Sequence, residues 1–432
     1  MTDSLEDRTI AKISTRLLPL LIACYVAAFL DRVNVGFAAL TMNADLGLTA
    51  TQYGFGAGVF FITYFLFEVP SNLMLARFGA RKWIARIMFG WGVASAATAF
   101  VKSATGFYVV RLLLGAAEAG FFPGIVFYLT LWFPTVYRAR IIGYFMAAGP
   151  LSTVIGAPVS GLLLRMDGVM GLHGWQWLFI VEALPSLILS VVVFRCLTDR
   201  PTQAAWLTSE ERGWLEQRLA LEERQRLAKH QYTVRQALVD RQLFALSGVY
   251  FGIIAANVGL GFFLPQIVQA FGMSTFRTTL VSAVPYLAAT LGIVLWARRS
   301  DQKRERRLHI ALPLVIASAA IAASTVLDQP VAKVAALSVA AFGIFASMPV
   351  FWTLPTFFLS GAAAAGGIAM INSIGNLAGF VGPSLMGWTR DATGTYVAGL
   401  ISLSAACLMS IGIVLAMRDD ESTEARRRPA TV

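Results

Sequence analysis

The first long apolar run of the chain is RLLPLLIACYVAAFLDRVNVGFAAL, residues 16–40. Its length matches the roughly 20 residues that an α-helix needs to cross about 30 Å of hydrocarbon. It nevertheless holds two adjacent charged residues, Asp31 and Arg32, beyond its midpoint. Because a charge at that depth costs about 2.5–3.5 kcal/mol on insertion scales, the pair is a functional candidate. The run therefore predicts a membrane span that contains a charged site.

The composition of the whole chain indicates a membrane protein. Of its 432 residues, 57% are hydrophobic and 14% are charged, whereas about 25% of residues are charged in soluble domains. These values exclude an ordinary soluble globular protein. Apolar windows of about 20 residues predict twelve spans, near 16–40, 52–76, 83–101, 106–132, 140–164, 175–197, 242–268, 278–297, 308–327, 331–357, 361–388 and 395–417.

The net charge of +11 could indicate a nucleic-acid partner, but its distribution favours membrane topology. When the loops are assigned alternately to the two sides, 28 of the 35 Lys and Arg residues fall on the side shared by both termini. Basic loops stay in the cytoplasm and meet anionic lipid. We therefore expect a multi-pass protein of the bacterial inner membrane with both termini cytoplasmic, in contact with membrane lipid and without a nucleic-acid partner.

The longest polar stretch divides the predicted spans into six and six. Within it, TSEERGWLEQRLALEERQR begins with Thr208 three residues before Glu211, which is the spacing of a helix capping box. The stretch therefore predicts a cytoplasmic helix between two bundles. The expected organisation is an N-terminal six-helix bundle, a linker with an amphipathic helix, a C-terminal six-helix bundle and a cytoplasmic tail, at 1–197, 198–240, 241–417 and 418–432.

A basic turn after the second span has a counterpart after the eighth. The first copy contains Arg77, Gly79, Arg81 and Lys82, and the second contains Asp301, Gln302, Arg304, Arg306 and Arg307. Such an echo between halves is typical of transporters whose binding site lies between two repeats. The predicted fold class is an all-α membrane protein with twelve transmembrane helices in two pseudo-symmetric six-helix bundles.

The first basic turn resembles the loop signature G-x-x-x-D-[RK]-x-G-x-[RK]-[RK] of the major facilitator superfamily, with Asn72 and Ala76 in place of its first Gly and its Asp. Three further stretches together resemble the anion:cation symporter family within that superfamily: FLDRVNVG at 29–36, RLLLGAAEAGFFPG at 111–124 and INSIGNLAGFVGP at 371–383. The resemblance covers nearly the whole chain. It implies proton-coupled uptake of organic anions.

The ionisable residues inside the spans are few, and helical geometry suggests how four of them pair. Neighbours on a helix diverge by about 100°, so Asp31 and Arg32 cannot face one partner. Arg111 lies about 10 Å outward of Glu118 on nearly the same face of span four. We predict that Asp31 pairs with Arg111, while Arg32 projects into a central cavity beside Glu118. An arginine there presents a planar fork suited to a carboxylate.

Other interpretations of these charges remain open at this point. The four residues could simply lock helices together. Glu182, after a run of aromatic residues, favours a packing or interfacial role. Glu68, near the end of span two, is expected to pair with loop arginines.

Further contacts follow from the resemblance rather than from geometry. Related transporters line their cavity with the corresponding spans, which makes five residues candidates for substrate binding: Tyr64, Asn257, Trp352, Ser373 and Asn376. For Tyr64 and Asn376, helix packing is an equal alternative. A conformational role is assigned to the loop residues Arg77, Gly79, Arg81, Lys82, Asp301, Arg306 and Arg307. No metal site or cofactor is expected, and the protein is expected to act as a monomer.

The predicted mechanism couples an anion to a proton. Protonation of Asp31 would release Arg111, and protonation of Glu118 would free Arg32 for an organic anion. The two ligands would then bind cooperatively and cross together as the halves rock. Suitable cargo includes sugar acids, hydroxy-dicarboxylates such as tartrate, and aromatic acids such as phthalate.

Three alternatives compete with this prediction. A proton-coupled drug or metabolite antiporter of the same superfamily is the nearest, since span five contains part of an antiporter motif in Gly149, Pro150, Gly156, Pro158 and Gly161. Arg32 argues against it, because an exporter of hydrophobic cations has little use for a cavity arginine. A membrane enzyme would need a nucleophile with a base, or a metal cluster, and neither pattern is present. The third alternative is a nutrient sensor that binds but does not transport.

Overall fold

The computed structural model describes residues 4–228, 240–303, 305–355 and 361–417, so the predicted tail at 418–432 and residues 229–239 of the linker lie outside it. The described residues contain fourteen α-helices. They are α1 Leu5–Asp45, α2 Ala50–Phe78, α3 Ala80–Thr98, α4 Ala104–Glu118, α5 Phe121–Thr130, α6 Thr135–Leu164, α7 Gly174–Cys196, α8 Ser209–Ala228, α9 Arg241–Gln269, α10 Thr275–Lys303, α11 Arg307–Ser324, α12 Pro330–Phe351, α13 Gly361–Thr393 and α14 Val397–Ala416.

Most of these helices are suited to crossing a membrane. In the described ranges, eleven segments are long and apolar enough, with α4 and α5 together forming one of them. Helix α3 has 19 residues and differs from the others because three basic residues lie in its first two turns: Arg81, Lys82 and Arg86. It packs between α4 and α7 in the N-terminal half, at the position of the span predicted near 83–101. The all-helical membrane fold predicted from the sequence is confirmed.

The two halves meet along three pairs of helices. Helix α2 packs against α13, α6 against α10, and α1 against α9. We call the face where α1 begins and α14 ends the terminal face. The remaining helices of each half pack outside these pairs, for example α3 against α7 and α11 against α14. The centre of the molecule is therefore surrounded by helices from both halves.

The fourth span is broken rather than continuous, which corrects the expectation for 106–132. Helix α4 ends at Glu118, and α5 begins at Phe121. Between them Gly120 has a φ of +85°, a left-handed conformation that glycine adopts without steric cost. A Cβ there would lie 2.5 Å from the Ser71 hydroxyl oxygen of α2. The break therefore places Glu118 at a helix end inside the bundle.

The linker helix α8 is attached to the N-terminal half. The predicted capping box is present: the Glu211 carboxylate accepts a hydrogen bond from the Thr208 amide at 2.8 Å, and the Glu211 amide donates to the Thr208 hydroxyl at 3.2 Å. Lys12 of α1 donates to the same carboxylate at 2.8 Å, and this hydrogen bond lowers the pKa of Glu211. Glu222 also accepts hydrogen bonds from Thr135, at the start of α6.

The face opposite the terminal face is closed by contacts between the halves. Asp391, near the end of α13, accepts hydrogen bonds from the amides of Ala50 and Thr51 at the start of α2, at 3.1 and 2.8 Å. Tyr53 donates to the carbonyl oxygen of Phe262 at 3.0 Å. Glycines allow the backbones to approach: a Cβ on Gly54 would overlap the carbonyl oxygen of Pro383. Small residues commonly permit such close helix contacts in membranes.

We expect Gly54→Ala to destabilise the protein, because the added methyl group has no room against the backbone of α13. Overpacking of this kind costs about 1–3 kcal/mol. Gly412→Ala is the matched control, since a Cβ there meets no atom within 4 Å. Thermal unfolding in detergent should show a lower midpoint for Gly54→Ala and an unchanged or higher one for Gly412→Ala. Equal midpoints in the two variants would contradict the close packing of α2 on α13.

Candidate functional site

A cavity of about 710 Å³ lies between the two halves. Its inner wall includes Arg32 of α1 and Tyr64 of α2, and it extends to Val136, Arg298 and Arg306, which lie close to the ends of their helices. Because these ends lie at the terminal face, the cavity opens there, while the opposite face is closed. A volume of this size is in the range that holds a small organic molecule.

Arg32 and Glu118 form an ion pair at the inner end of this cavity. The Arg32 Nη2 atom donates to Glu118 Oε1. The Arg32 side chain is 25% exposed and that of Glu118 only 1%, so the arginine is the member that faces the cavity. Glu118 lies at the C-terminal end of α4, where the helix dipole disfavours a negative charge. The cation therefore stabilises the carboxylate against both its burial and the dipole.

The Arg32 guanidinium keeps binding capacity beyond this ion pair. Its Nε atom is buried and has no hydrogen-bond partner. The group lies 5.6 Å from the ring centroid of Tyr64 and 5.7 Å from that of Phe60, distances at which aromatic rings attract cations. The aromatic side chains flank the guanidinium, while a quarter of the Arg32 side chain stays exposed to the cavity. The positions of Arg32 and Glu118 match the expectation from the sequence, and their role in binding stays a prediction.

Asp31 is turned away from Arg32 and is satisfied by hydroxyl groups. Its Oδ1 accepts a hydrogen bond from Ser95 of α3, and its Oδ2 accepts one from Ser186 of α7, both at 2.7 Å. Asn34 lies at 3.5 Å from Oδ1. The carboxylate therefore joins α1 to α3 and α7 inside the N-terminal half. It has no arginine partner among the described residues.

Arg111 makes different contacts, so the predicted Asp31–Arg111 ion pair is wrong. Its Nη2 atom donates to the backbone carbonyl of Ala57 in α2 at 2.9 Å. Its guanidinium lies 5.0 Å from the ring of Phe60, which also faces Arg32. The sequence-based prediction relied on a long Arg111 side chain reaching Asp31 from further out in the membrane, but Asp31 faces α3 and α7 whereas Arg111 faces α2.

Of two further buried carboxylates, one agrees with expectation and one does not. Glu182 is buried, and its Oε1 accepts a hydrogen bond from Ser160 of α6 at 2.6 Å, which agrees with the packing alternative rather than the interfacial one. Glu68 does not pair with loop arginines. It is 2% exposed and accepts hydrogen bonds from Asn372 at 2.5 Å and Ser373 at 3.1 Å, both in α13. The prediction failed because Glu68 faces the other half of the protein rather than the loop after α2.

The residues predicted to contact substrate separate into two groups. Four of them line the cavity: Tyr64, Asn257, Trp352 and Asn376. Ser373 is buried outside the cavity lining, where its hydroxyl donates to Glu68. Trp352, just after α12, packs edge-on against Tyr250 with ring centroids 4.9 Å apart. The C-terminal half therefore contributes amide and aromatic groups to the cavity wall.

The structure also adds cavity residues that the sequence interpretation missed. Tyr25 and Tyr250 line the cavity, as does Asn372. Spacing could have indicated all three, because Tyr25 lies seven residues before Arg32, Tyr250 seven residues before Asn257 and Asn372 four residues before Asn376. These intervals return to the same helix face.

The basic turns lie at the terminal face. Gly79 has a φ of +87°, and the Asp199 carboxylate accepts a hydrogen bond from the Arg81 amide there at 2.7 Å. In the second turn, Arg306 donates to the Ser300 hydroxyl at 2.8 Å, and Arg307 donates to the carbonyl oxygen of Val414 at 3.2 Å. The side chain of Asp301, and Arg304 as a whole, lie outside the described residues. The conformational role of Arg77, Lys82 and the rest of both turns stays a prediction.

A pair of double-mutant cycles checks the revised pairing. We expect Arg32→Gln and Glu118→Gln to be coupled by about 1–3 kcal/mol, because the two side chains are in contact. Asp31→Asn and Arg111→Gln should add to within about 0.5 kcal/mol, since they share no hydrogen bond. Thermal unfolding in detergent measures both. Equal coupling in the two cycles would restore the ion pair predicted from the sequence.

Comparison with known proteins agrees with this architecture. A model of the Major Facilitator Superfamily matches residues 21–383. The "Putative tartrate transporter" of Agrobacterium vitis is 50% identical over 99% of this chain and 95% of its own length. The "Quinolone resistance transporter" of Acinetobacter baumannii is 42% identical over 95% of this chain and 94% of its own length.

A solved structure supports the fold independently. The crystal structure of a D-xylose-proton symporter aligns with a TM-score of 0.73 at 15% identity, and it covers 94% of this chain and 97% of that one. At this identity the similarity concerns the fold alone. The family model covers most of the chain, and these similar proteins are transporters rather than enzymes. The chain therefore belongs to the Major Facilitator Superfamily of membrane transporters.

Proposed function

We propose that this transporter imports a small organic anion together with a proton by alternating access. The observation that carries the proposal is the Arg32 guanidinium, a cation of the cavity wall whose side chain is 25% exposed. A carboxylate in the cavity would complement its charge and bind the planar guanidinium through hydrogen bonds. The similarity to a protein named as a tartrate transporter supports the same class of cargo.

Glu118 provides a route for coupling to a proton. In the ion pair its negative charge neutralises Arg32 and competes with an incoming anion. A protonated Glu118 no longer does so, and the guanidinium then favours a carboxylate as its partner. The proton and the anion thus promote each other's binding, which is the thermodynamic requirement for symport.

Asp31 is the second candidate for proton coupling, by a route that does not need Arg111. Its two partners are the hydroxyl groups of Ser95 and Ser186. A hydroxyl can donate to a carboxylate and can also accept from a protonated acid. Asp31 can therefore change its protonation state without losing both hydrogen bonds. Its partners belong to α3 and α7, so the change would alter packing within the N-terminal half.

The proposed direction of transport depends on the proton gradient and on topology. By the positive-inside rule we infer that the terminal face is cytoplasmic, so the described cavity would be open to the cytoplasm and closed to the outside. A proton gradient directed inward would drive the anion in the same direction. We propose that the protein acts as a monomer in the bacterial inner membrane and needs no cofactor.

Export is the competing function, and one similar protein is named for quinolone resistance. The cavity favours anions over hydrophobic cations because Arg32 lies at its inner end and Arg298 and Arg306 lie towards its mouth. Transport measurements separate the two functions. Efflux of cationic dyes by the wild type that persists in Arg32→Ala would contradict anion symport.

In proteoliposomes, we expect wild-type protein to exchange labelled tartrate and to accumulate it when the outside is acidic. Arg32→Ala should lower exchange by about 100-fold, since two hydrogen bonds between charged groups are lost. Arg32→Lys should recover only part of this, because an ammonium cannot bind a carboxylate through a planar fork. Glu118→Gln should retain exchange but lose accumulation driven by the pH gradient.

The matched control for Glu118 is Glu182→Gln, which removes a buried carboxylate of the same half that is bonded to Ser160 rather than to Arg32. This variant should keep both exchange and accumulation. If Glu118→Gln accumulates tartrate as well as Glu182→Gln does, Glu118 does not couple the proton. If no carboxylate is exchanged by the wild type at any pH from about 5 to 8, anion transport itself is wrong.

A further inference from the structure

Glu68 is a third buried carboxylate that contacts a cavity residue, and the proposed proton coupling does not involve it. Glu68 lies in α2, one helical turn after Tyr64, and therefore on the same face as that cavity residue. It is buried in the contact between α2 and α13. Its two oxygens meet one donor each, the Asn372 amide nitrogen at 2.5 Å and the Ser373 hydroxyl at 3.1 Å. Two donors aimed at two oxygens form the environment of an ionised carboxylate.

This contact fixes the orientation of Asn372. An ionised carboxylate has no proton to give, so only the NH₂ side of the amide can face Glu68. The amide oxygen must then point elsewhere. Asn372 lines the cavity, and its Oδ1 accepts no hydrogen bond from the described residues and is not among their buried unpaired atoms. The cavity wall therefore presents a hydrogen-bond acceptor with a fixed orientation, contributed by the half opposite Arg32.

We propose that Glu68 is a positioning residue that holds Asn372 so that its amide oxygen accepts a hydrogen bond from a hydroxyl group of the transported acid. This inference rests on the proposed anion transport and adds a rule of selectivity to it. An acceptor discriminates by chemistry: a hydroxyl can donate to it, whereas a keto oxygen can only repel it and a methylene leaves it unpaired. Sites built to hydrogen-bond a hydroxyl reject analogues without one.

Three four-carbon dicarboxylates of equal length test the rule: malate, succinate and oxaloacetate, which carry a hydroxyl, a methylene and a keto group. Their competition against labelled tartrate exchange gives an apparent affinity for each. For the wild type we expect malate to bind about 10-fold more tightly than either analogue, equivalent to one well-formed hydrogen bond. Asn372→Ala should reduce both preferences to within about 2-fold, because the acceptor is gone.

Glu68→Gln gives a readout that a merely structural role would not change. A glutamine can both donate and accept, so Asn372 becomes free to turn its NH₂ group towards the cavity. Oxaloacetate should then bind nearly as tightly as malate, while succinate stays weak. Asn72→Ala is the matched control: its amide donates to the Glu68 backbone carbonyl at 2.8 Å and leaves the carboxylate untouched. This control should keep the wild-type ratios.

The outcomes distinguish this inference from the proposed function. A wild type that exchanges tartrate but binds malate and oxaloacetate equally, or binds none of the three acids, overturns the role of Asn372 and leaves anion transport standing. Retention of the wild-type affinity ratios in Asn372→Ala also overturns the proposed role of Asn372. This result is sufficient even if Glu68→Gln does not fold. A wild type that exchanges no carboxylate at all removes the proposed function and the inference with it.

Discussion

The structure at the centre of the protein depends on the ion pair between Arg32 and Glu118. A charge at mid-membrane depth costs several kcal/mol unless it is paired, and the loss of one partner from a buried pair costs about 3–5 kcal/mol. The break in the fourth span ends α4 at Glu118, and the aromatic rings of Phe60 and Tyr64 flank the guanidinium. The helix break and the aromatic packing therefore both position this pair of charges.

The buried polar groups around this pair follow two different rules. Arg32 and Glu118 neutralise each other, and Arg32 remains accessible from the cavity. Asp31 is instead surrounded by hydroxyls that fit either protonation state. A mutual ion pair responds strongly to a competing anion, whereas a carboxylate held by hydroxyls responds mainly to protons. Adjacent residues on one helix can therefore sense the two ligands separately.

The fold class and the contact between Arg32 and Glu118 could be predicted from the sequence, because apolar length and the cost of buried charge leave few alternatives. The pairing of Asp31 with Arg111 could not. The position of a residue along a helix gives its depth in the membrane but does not identify the side chains that face it. Nothing in the sequence marks Ser95 and Ser186 as the partners of Asp31. Glu68 was misassigned for a related reason: its position near a span end suggested the loop, while its partners come from a helix some 300 residues later.

The buried charges are distributed unevenly between two halves of the same architecture. Among the described residues, every buried Asp, Glu and Arg belongs to the N-terminal half or to α8, and the C-terminal half lines the cavity with amides and aromatic rings. Under the proposed function, energy conversion resides in one repeat and cargo choice largely in the other. Evolution could then retune the nutrient that a descendant carries by altering α9, α12 and α13, while the gradient that powers it stays the same.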